Sequence, residues 1–590
     1  MQDPNVFYKE QLYNLKSLIK SDKKRLNLLS LLRLSVFIGS AFLIYFFSDS
    51  PRIAAVIAII GIGIFIKLLK IYASRKTSYD LNKALKTLNK EELQIAKGDY
   101  LNREDGSAFL DANHFFSADI DLFGKGSFFQ YTNRTGLKEG RRFLADLLDS
   151  NKIIGIEERQ EAIKELAQIP KWRQKYTALA RMLNSDTSND TITSWLKNYQ
   201  SFIPAHFKWL PAIFTVISFA FFIASFFNLI GFQPILIWLL LGLVVTGFFV
   251  KRVNKLSAIT NRIKETIQQY ALLLREIEDY DFKTILLNSE KEKIKSNQQK
   301  ASQVFKDFSK HLDALDNRNN VFVAFLGNGF FLWDIYYSMK IEKWIVAHKD
   351  LVSQWFETVG FFDGFNSLAG FAYNHPEFTY PQLSNTTDMR IDAKSLGHPL
   401  IASNDRVCSD LQLKNKEFFI VTGANMAGKS TFLRTVSSYI VMANVGLPVC
   451  AEESVYRPIK LITSMRTSDS LTKNSSYFFA ELTRLQFIIK NLEKGTYLVI
   501  LDEILKGTNS VDKAAGSKKL IEKLVAMDVS GIIATHDLSL CEISTDLPEV
   551  KNYYFETEIR NDELYFDYTF KEGICKNMNA SFLLKKMDIT

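Results

Sequence analysis

The stretch from Trp209 to Val250 contains no Asp, Glu, Lys or Arg. As a single helix it would measure roughly 63 Å, whereas the hydrocarbon core of a bilayer is ~30 Å thick. A Gly and a Pro lie in its middle, in Asn228–Pro234, where a hairpin would turn. The stretch therefore predicts two membrane-crossing helices, Leu210–Phe227 and Ile235–Val250. The alternative is a buried hairpin of a soluble domain, although so long an uncharged run rarely fits inside one.

A second pair of apolar segments, Leu26–Ser48 and Ile53–Leu69, predicts another membrane hairpin near the N-terminus. Basic residues cluster at the outer ends of both hairpins, whereas the short turns carry only Arg52. Because Lys and Arg accumulate on the cytoplasmic side of membrane proteins, we expect a multi-pass protein of the cytoplasmic (inner) membrane. All soluble sequence would then face the cytoplasm.

Composition sets broad limits on the rest of the chain. Its 590 residues imply several domains, and 27 Gly with 12 Pro are too few for turn-rich all-β architectures. The net charge of +9 suits a nucleic acid, an anionic membrane surface or the basic flanks of a membrane protein, and does not choose among them. The four cysteines form no close pair, which predicts reduced thiols and neither a zinc site nor a disulfide framework.

A phosphate-binding loop pattern follows an apolar run at Phe418–Val421 and precedes a predicted helix at Thr431–Ala443. Glycines let backbone N–H groups converge on phosphate oxygens at the start of such a helix. Lys429 would reach the β- and γ-phosphates, and Ser430 would ligate Mg²⁺. The alternative is a fortuitous Gly-rich turn. The predicted ATP-binding residues are Gly423, Ala424, Asn425, Met426, Ala427, Gly428, Lys429, Ser430 and Thr431.

Two further strands end in residues suited to ATP hydrolysis. Tyr497–Leu501 is followed by Asp502, predicted to hold Mg²⁺, and by Glu503, predicted to orient or deprotonate the attacking water. Gly531–Ala534 is followed by Thr535 and His536, whose imidazole could bond the γ-phosphate or the water. The predicted catalytic residues are therefore Lys429, Glu503 and His536. An ordinary strand-end acidic pair and a structural histidine are the alternatives.

These residues, in this order, resemble the ATPase domain of the MutS family of DNA mismatch-repair proteins. The family's Asn-Met pair stands at Asn425-Met426, and its signature segment resembles Ser475–Glu481. Further matches are His398-Pro399, Val445–Ala451 and Asp502–Ser510, and upstream the family's helical core resembles parts of Asp111–Leu183. No segment resembles the family's N-terminal mismatch-reading domain.

The predicted fold class is α and α/β multidomain, with transmembrane hairpins, a MutS-like helical core and a C-terminal P-loop ATPase domain. The expected divisions are a basic segment at 1–25, hairpin 1 at 26–75, a helical connector at 76–110, the first segment of the helical core at 111–205, hairpin 2 at 206–251, lever helices with the second segment of the core at 252–390, and the ATPase domain at 391–590.

The resemblance implies a homodimer in which Ser476 of one subunit contacts the ATP held by the other. It also implies an ATPase, using ATP and Mg²⁺, that binds double-stranded DNA, mismatched or branched, in DNA repair. Lysines such as Lys291, Lys293, Lys295 and Lys300 could contact phosphates, or form a solvated helix face. Two alternatives stay open: a membrane mechano-ATPase that has lost DNA recognition and acts on a protein or lipid partner, and a degenerate ATPase used as a dimerisation scaffold.

Overall fold

The computed structural model describes residues 3–182, 187–296, 299–384, 388–466, 477–506, 508–560 and 563–575. It begins with two long helices, α1 (Pro4–Phe46) and α2 (Pro51–Ile95), which pack against each other. Both helices run well beyond the apolar segments predicted for hairpin 1. The apolar part is exposed, as at Phe37 and Ile59, whereas the polar end of α2 packs on the helical core.

The middle of the chain is helical. Its elements in order are α3 (Phe128–Thr132), α4 (Lys138–Asp149), α5 (Ile156–Ala167), α6 (Pro170–Arg181), α7 (Asn189–Lys197), α8 (Leu210–Phe226), α9 (Phe232–Gly247), α10 (Val250–Glu278), α11 (Ile285–Glu292), β1 (Lys295–Ser296), β2 (Gln299–Lys300), α12 (Ala301–Asp316), a π-helix (Val323–Gly327), α13 (Asn328–Phe331), α14 (Trp333–His348) and α15 (Val352–Asn374). Helix α15 is buried along most of its length and contacts α4, α5 and α6, so it forms the axis of the helical core.

The C-terminal region alternates strands with helices. Its elements are β3 (Gln382–Leu383), β4 (Met389–Leu396), β5 (Ser409–Lys414), β6 (Phe418–Thr422), α16 (Lys429–Val445), β7 (Glu453–Tyr456), β8 (Lys460–Ser464), α17 (Tyr477–Leu492), β9 (Tyr497–Asp502), α18 (Ser510–Ala526), β10 (Gly531–Thr535), α19 (Ile543–Asp546), β11 (Val550–Arg560) and β12 (Glu563–Glu572). Short 3₁₀ turns occur at Ser107–Phe109, Ala205–Trp209, Asn317–Asn319 and Leu538–Glu542.

The main sheet has the strand order β12-β11-β6-β10-β9-β8 within the described residues. The strands from β11 to β8 are parallel, and β12 pairs antiparallel with β11. Strands β6 and β10 are buried at every position, as expected for central parallel strands covered on both faces. A smaller mixed sheet has the order β3-β7-β4-β5. The coarse prediction of a mixed α/β protein rich in helices is confirmed.

Three helices among the described residues, those containing Pro4–Phe46, Arg52–Ile95 and His206–Phe226, are long and apolar enough to cross a membrane. A fourth candidate is the pair α9 and α10, which is bent by 68° at a short break. The bounds of α8 and α9 are within three residues of those predicted for the two helices of the uncharged run. Their outward side chains, such as Phe226 and Ile237, are exposed to the surroundings of the protein.

Candidate functional site

Three parallel strands end together at one edge of the main sheet. Strand β10 lies between β6 and β9, with Thr535 opposite Thr422 and Ala534 opposite Asp502. This register brings the residues that follow each strand to the same place. Ligands of open α/β sheets bind outside the carboxyl ends of such strands, so this edge is the candidate site.

The loop between β6 and α16 needs glycine at two positions. Gly423 and Gly428 have φ of 153° and 105°, and a Cβ on Gly423 would lie 3.0 Å from the carbonyl oxygen of Phe555. Met426 also has positive φ, at 67°, and its side chain is exposed. Gly428 caps α16, whose first N–H groups have no acceptor within the helix. The loop therefore presents a helix N-terminus suited to an anion.

Lys429 lies beneath this loop and is 7% exposed. Its Nζ donates to the carbonyl oxygens of Gly423 at 2.8 Å and Ala424 at 2.9 Å. Burial lowers the pKa of Lys429, while the nearby Asp502 and Glu503 carboxylates act in the opposite direction. These two carbonyl oxygens thus hold the ammonium group inside the loop. From there Lys429 could help the backbone N–H groups to bind phosphate.

Ser430 and Asp502 meet across the cleft. The Ser430 hydroxyl donates to Oδ2 of Asp502 at 2.6 Å, although the two residues are far apart in sequence. Hydroxyl and carboxylate oxygens are hard donors of the kind Mg²⁺ prefers. The pair predicted to hold Mg²⁺ is therefore in mutual contact, and its donor atoms fit that ion.

Glu503 lies at the cleft beside two lysines. Its carboxylate is 3.5 Å from Lys506 Nζ and 3.3 Å from Lys513 Nζ, and its φ is 51°. Burial by itself would raise the pKa of Glu503, but Lys506 and Lys513, with a contribution from His536, hold it below the ordinary value. Glu503 is therefore an ionised carboxylate at neutral pH, the form that can accept a proton.

His536 follows β10 and lies between the loop and the carboxylates. Its Nε2 is 3.5 Å from Lys429 Nζ. Burial and the neighbouring Lys429 ammonium lower the pKa of His536, and Glu503 offsets this only in part. The imidazole is therefore neutral at pH 7, so it can donate from one nitrogen and accept at the other.

The cleft has a volume of about 590 Å³, and most residues predicted from the sequence line it. Asn425, Met426 and Thr431 lie on its surface, whereas Ala427 is buried beneath the loop. His398 also lines the cleft, and burial with the nearby Arg434 and Arg406 lowers its pKa to about 4. Ser476 lies outside the described residues.

Several cleft residues were missed by sequence reasoning. Ile401, Val407, Phe555 and Tyr568 line it from distant parts of the chain, without a local motif that could have identified them. Glu481 is 3% exposed and accepts the N–H groups of Leu505 and Lys506 at 2.6 and 3.1 Å, so it holds the turn after Glu503. Glu481 belongs to the predicted signature segment, and the resemblance was the only signal that could have singled it out.

Comparison with known proteins relates the sequence region around this cleft to one protein family. Residues 419–585 match the family described as MutS domain V. The chain is 32% identical over 214 residues to "DNA mismatch repair protein MSH4" of Arabidopsis thaliana, covering 36% of this chain and 27% of that protein. It is 31% identical over 239 residues to "DNA mismatch repair protein MutS" of Methanosarcina mazei, covering 38% and 26%.

A human relative, "MutS protein homolog 4", is 28% identical over 254 residues, which are 41% of this chain and 26% of the relative. The chain thus spans about a quarter of the length of the curated relatives it matches. The matched family region contains the loop, Asp502, Glu503 and His536. The comparisons thus support the expected resemblance to MutS-family proteins through this C-terminal domain.

Proposed function

We propose that this protein is a membrane-anchored MutS-family ATPase, which binds and hydrolyses ATP at a homodimer interface and couples this cycle to double-stranded DNA in DNA repair. The observation that carries the proposal is the convergence of five groups at the carboxyl ends of adjacent parallel strands. These groups are Lys429, Ser430, Asp502, Glu503 and His536. Each has a distinct role in phosphoryl transfer to water.

Phosphate binding would use the N-terminus of α16 and Lys429. The N–H groups at the start of α16 supply donors and a partial positive charge. Lys429 adds a full charge at the same end of the loop. Ser430 and Asp502 would hold Mg²⁺, which when bound neutralises charge on the phosphates.

Hydrolysis would depend on Glu503 and His536. As an ionised carboxylate, Glu503 is suited to orient a water molecule and accept its proton. The neutral His536, adjacent to Lys429, is suited to donate a hydrogen bond to the γ-phosphate. Ser476 of a second copy would complete the site, so ATP would favour the closed dimer and hydrolysis would release it.

Membrane anchoring rests on α1, α2 and α8, which combine length with exposed apolar side chains, and on α9, which is a candidate span only together with α10. With the basic flanks facing the cytoplasm, the ATPase domain would lie at the inner face of the membrane. This placement is the feature of the proposal that distinguishes the protein from a soluble repair ATPase.

The alternative is a membrane mechano-ATPase that does not bind DNA, and one observation favours it. The lysines considered for phosphate contact each lie beside an acidic residue of the same chain. The pairs are Lys291 with Asp281, Lys293 with Glu290, Lys295 with Glu292, and Lys300 with Asp279. Such pairing reduces the positive potential that attracts a nucleic-acid backbone.

Titration with duplex DNA separates the two functions. We expect the full chain in lipid nanodiscs to bind a duplex at low salt, with an affinity that falls linearly in log–log form as salt increases, because bound counterions are released. Matched, mismatched and branched duplexes should be compared, with and without Mg·ATP. Absence of binding to all three at low salt would remove the DNA function and leave the mechano-ATPase.

Binding of Mg·ATP tests the nucleotide site itself. Replacing Lys429 by Ala removes a charged donor to the phosphates, so we expect ATP affinity to fall by roughly 10–100-fold, since hydrogen bonds to charged groups contribute about 1.5–3 kcal/mol. Lys519→Ala, at an exposed position on α18, is the control and should bind normally. Equal affinity of the Lys429→Ala variant and the wild type would mean that ATP does not bind at this loop.

A further inference from the structure

A short apolar segment beyond hairpin 2 has no role in the site. Residues 321–331 lie between Arg318 and Asp334 with no charged residue in between, and comprise the π-helix and α13. Val321 and Phe322 are 78% and 75% exposed, and Phe325 and Leu326 are also exposed. So much exposed apolar surface on consecutive residues marks an interaction surface.

The opposite side of this segment is closely packed on α8 and α9. A Cβ on Gly242 of α9 would collide with the carbonyl oxygen of Gly329, and a Cβ on Gly329 would lie 2.8 Å from Cγ of Leu239. The two backbones therefore meet through glycines, as small residues allow between membrane helices. The ring of Phe222 on α8 packs against Phe330 at a centroid distance of 4.8 Å.

A buried polar contact holds the C-terminal end of the segment. The Ser218 hydroxyl donates to the carbonyl oxygen of Phe330 at 2.6 Å and accepts from Trp238 Nε1 at 2.8 Å. Ser218 is fully buried between α8, α9 and the segment. Because a free carbonyl is costly in hydrocarbon, this bond is the kind of satisfaction that an irregular backbone needs at membrane depth.

The contact points give the depth of the segment along hairpin 2. Ser218 is eight residues from Leu210, where α8 begins, and Gly242 is five residues from Gly247, where α9 ends. At 1.5 Å per residue these contacts lie roughly 12 and 7.5 Å from the cytoplasmic ends of α8 and α9. Half of a bilayer core is ~15 Å thick, so both helices independently place Gly329 and Phe330 inside the cytoplasmic half of the hydrocarbon.

The ends of the segment carry groups typical of a membrane interface. Trp333 and Tyr336 follow it directly, and Trp209 precedes α8; Trp and Tyr are enriched at this level. Arg318 bonds the buried Asp334 at 2.9 Å and Asn254 of α10 at 2.6 Å, which closes the base of the segment with a polar cluster.

We propose that residues 321–331 enter the bilayer from the cytoplasmic side as a re-entrant element, with lipid hydrocarbon as the partner of their exposed apolar face. The element is too short to cross, since 11 residues of helix measure roughly 16 Å. It forms one membrane unit with α8 and α9. This inference rests on the proposed membrane anchoring. It adds a third inserted element to the two helices of hairpin 2, and this element connects α12 to α14.

The unit connects the membrane to the helical core at three points. Helix α10 leaves α9 at 68°, α12 ends just before the segment, and α14 begins just after it. Buried Phe214 of α8 packs with Leu332 and Ile335 at the start of α14. A movement of these core helices would therefore displace the inserted element together with the hairpin.

Photolabelling from the lipid phase tests the inference on the full chain. The chain is reconstituted in phosphatidylcholine nanodiscs that contain a phospholipid with a diazirine near the end of its acyl chain, and labelled peptides are mapped by mass spectrometry. We expect adducts on residues 321–331 at a level comparable to α8 and α9. The peptide around Ile285, which is also 78% exposed but lies on α11, is the control and should remain unlabelled.

The outcomes separate this inference from the anchoring proposal. Labelled α8 and α9 with an unlabelled 321–331 segment would overturn the re-entrant element and leave the hairpin. Absence of label from α8 and α9 as well would overturn the anchoring on which the inference rests.

Aqueous modification gives a second, independent readout. Phe325→Cys and Ile285→Cys variants in nanodiscs are treated with a charged maleimide, and the modified peptides are identified by mass spectrometry. We expect the cysteine at position 285 to be modified and the cysteine at position 325 to remain unmodified. Equal modification at both positions would place residue 325 in water and overturn the inference.

Discussion

At the scale of single residues, the candidate site depends on groups whose charge is set by close neighbours. Glu503 stays ionised because Lys506 and Lys513 offset its burial, and His536 stays neutral because it is buried beside Lys429. The two groups differ in charge although they lie at the same edge of the sheet. This division suits one to accept a proton and the other to donate a hydrogen bond.

The lowered pKa of His536 predicts the pH dependence of turnover at low ATP concentration. A histidine with an ordinary pKa of 6.5 would gain its proton as the pH falls through that value. Because burial and Lys429 shift the protonation to more acidic pH, we expect kcat/KM for ATP to stay level from pH 8 to below 6.5. His536→Asn should remove the acidic decline due to this group. A wild-type decline centred at or above pH 6.5 would contradict the assigned environment.

Sequence reasoning identified the residues that follow a local pattern. Lys429 and Ser430 stand in a fixed motif, and Asp502 and His536 each follow an apolar strand. Tyr568 and Phe555 could not be identified in this way, since they reach the cleft only because β11 pairs with β6 and β12 pairs with β11. Strand order across a sheet is a long-range property that no local spacing encodes.

At the scale of elements, hydropathy identified the long apolar helices but not their extent. Helix α2 continues past its apolar stretch to Ile95, where Glu92 bonds Arg134 at 2.7 Å in the interior of the core. Since helix formation depends on backbone bonds and not on apolarity, the helix does not end where the apolar run ends. Helix α2 thus joins the proposed hairpin 1 directly to the helical core.

The segment at residues 321–331 was not recognised by hydropathy as a separate apolar element. It is too short to be distinguished from a buried core helix by composition, and sequence reasoning assigned it to the lever helices. Its position against hairpin 2 is shown by the close backbone contact between Gly242 of α9 and Gly329 of α13. Such pairwise fits are determined by tertiary packing and cannot be deduced from periodicity.

At the scale of the whole molecule, the C-terminal α/β domain and the helical core are joined next to the cleft. Asp121 of the core lies 3.2 Å from Arg434 of α16 and 2.6 Å from Arg466, which follows β8. Phe115 stacks on Tyr497 of β9, and Arg484 of α17 donates to the Phe115 carbonyl at 2.8 Å. A change at the cleft therefore has a short path to the helical core.

The proposed function requires ATP hydrolysis at the cleft formed by β6, β9 and β10. The most direct measurement is the rate of phosphate release by the full chain in nanodiscs, for the wild type, Glu503→Gln and the exposed-site control Glu493→Gln. Because general-base catalysis contributes about 10²–10⁴-fold, we predict that Glu503→Gln loses turnover by that order and still binds Mg·ATP, while the control keeps the wild-type rate. Equal rates for the wild type and Glu503→Gln would show that Glu503 does not act as the base and would contradict ATP hydrolysis at this cleft.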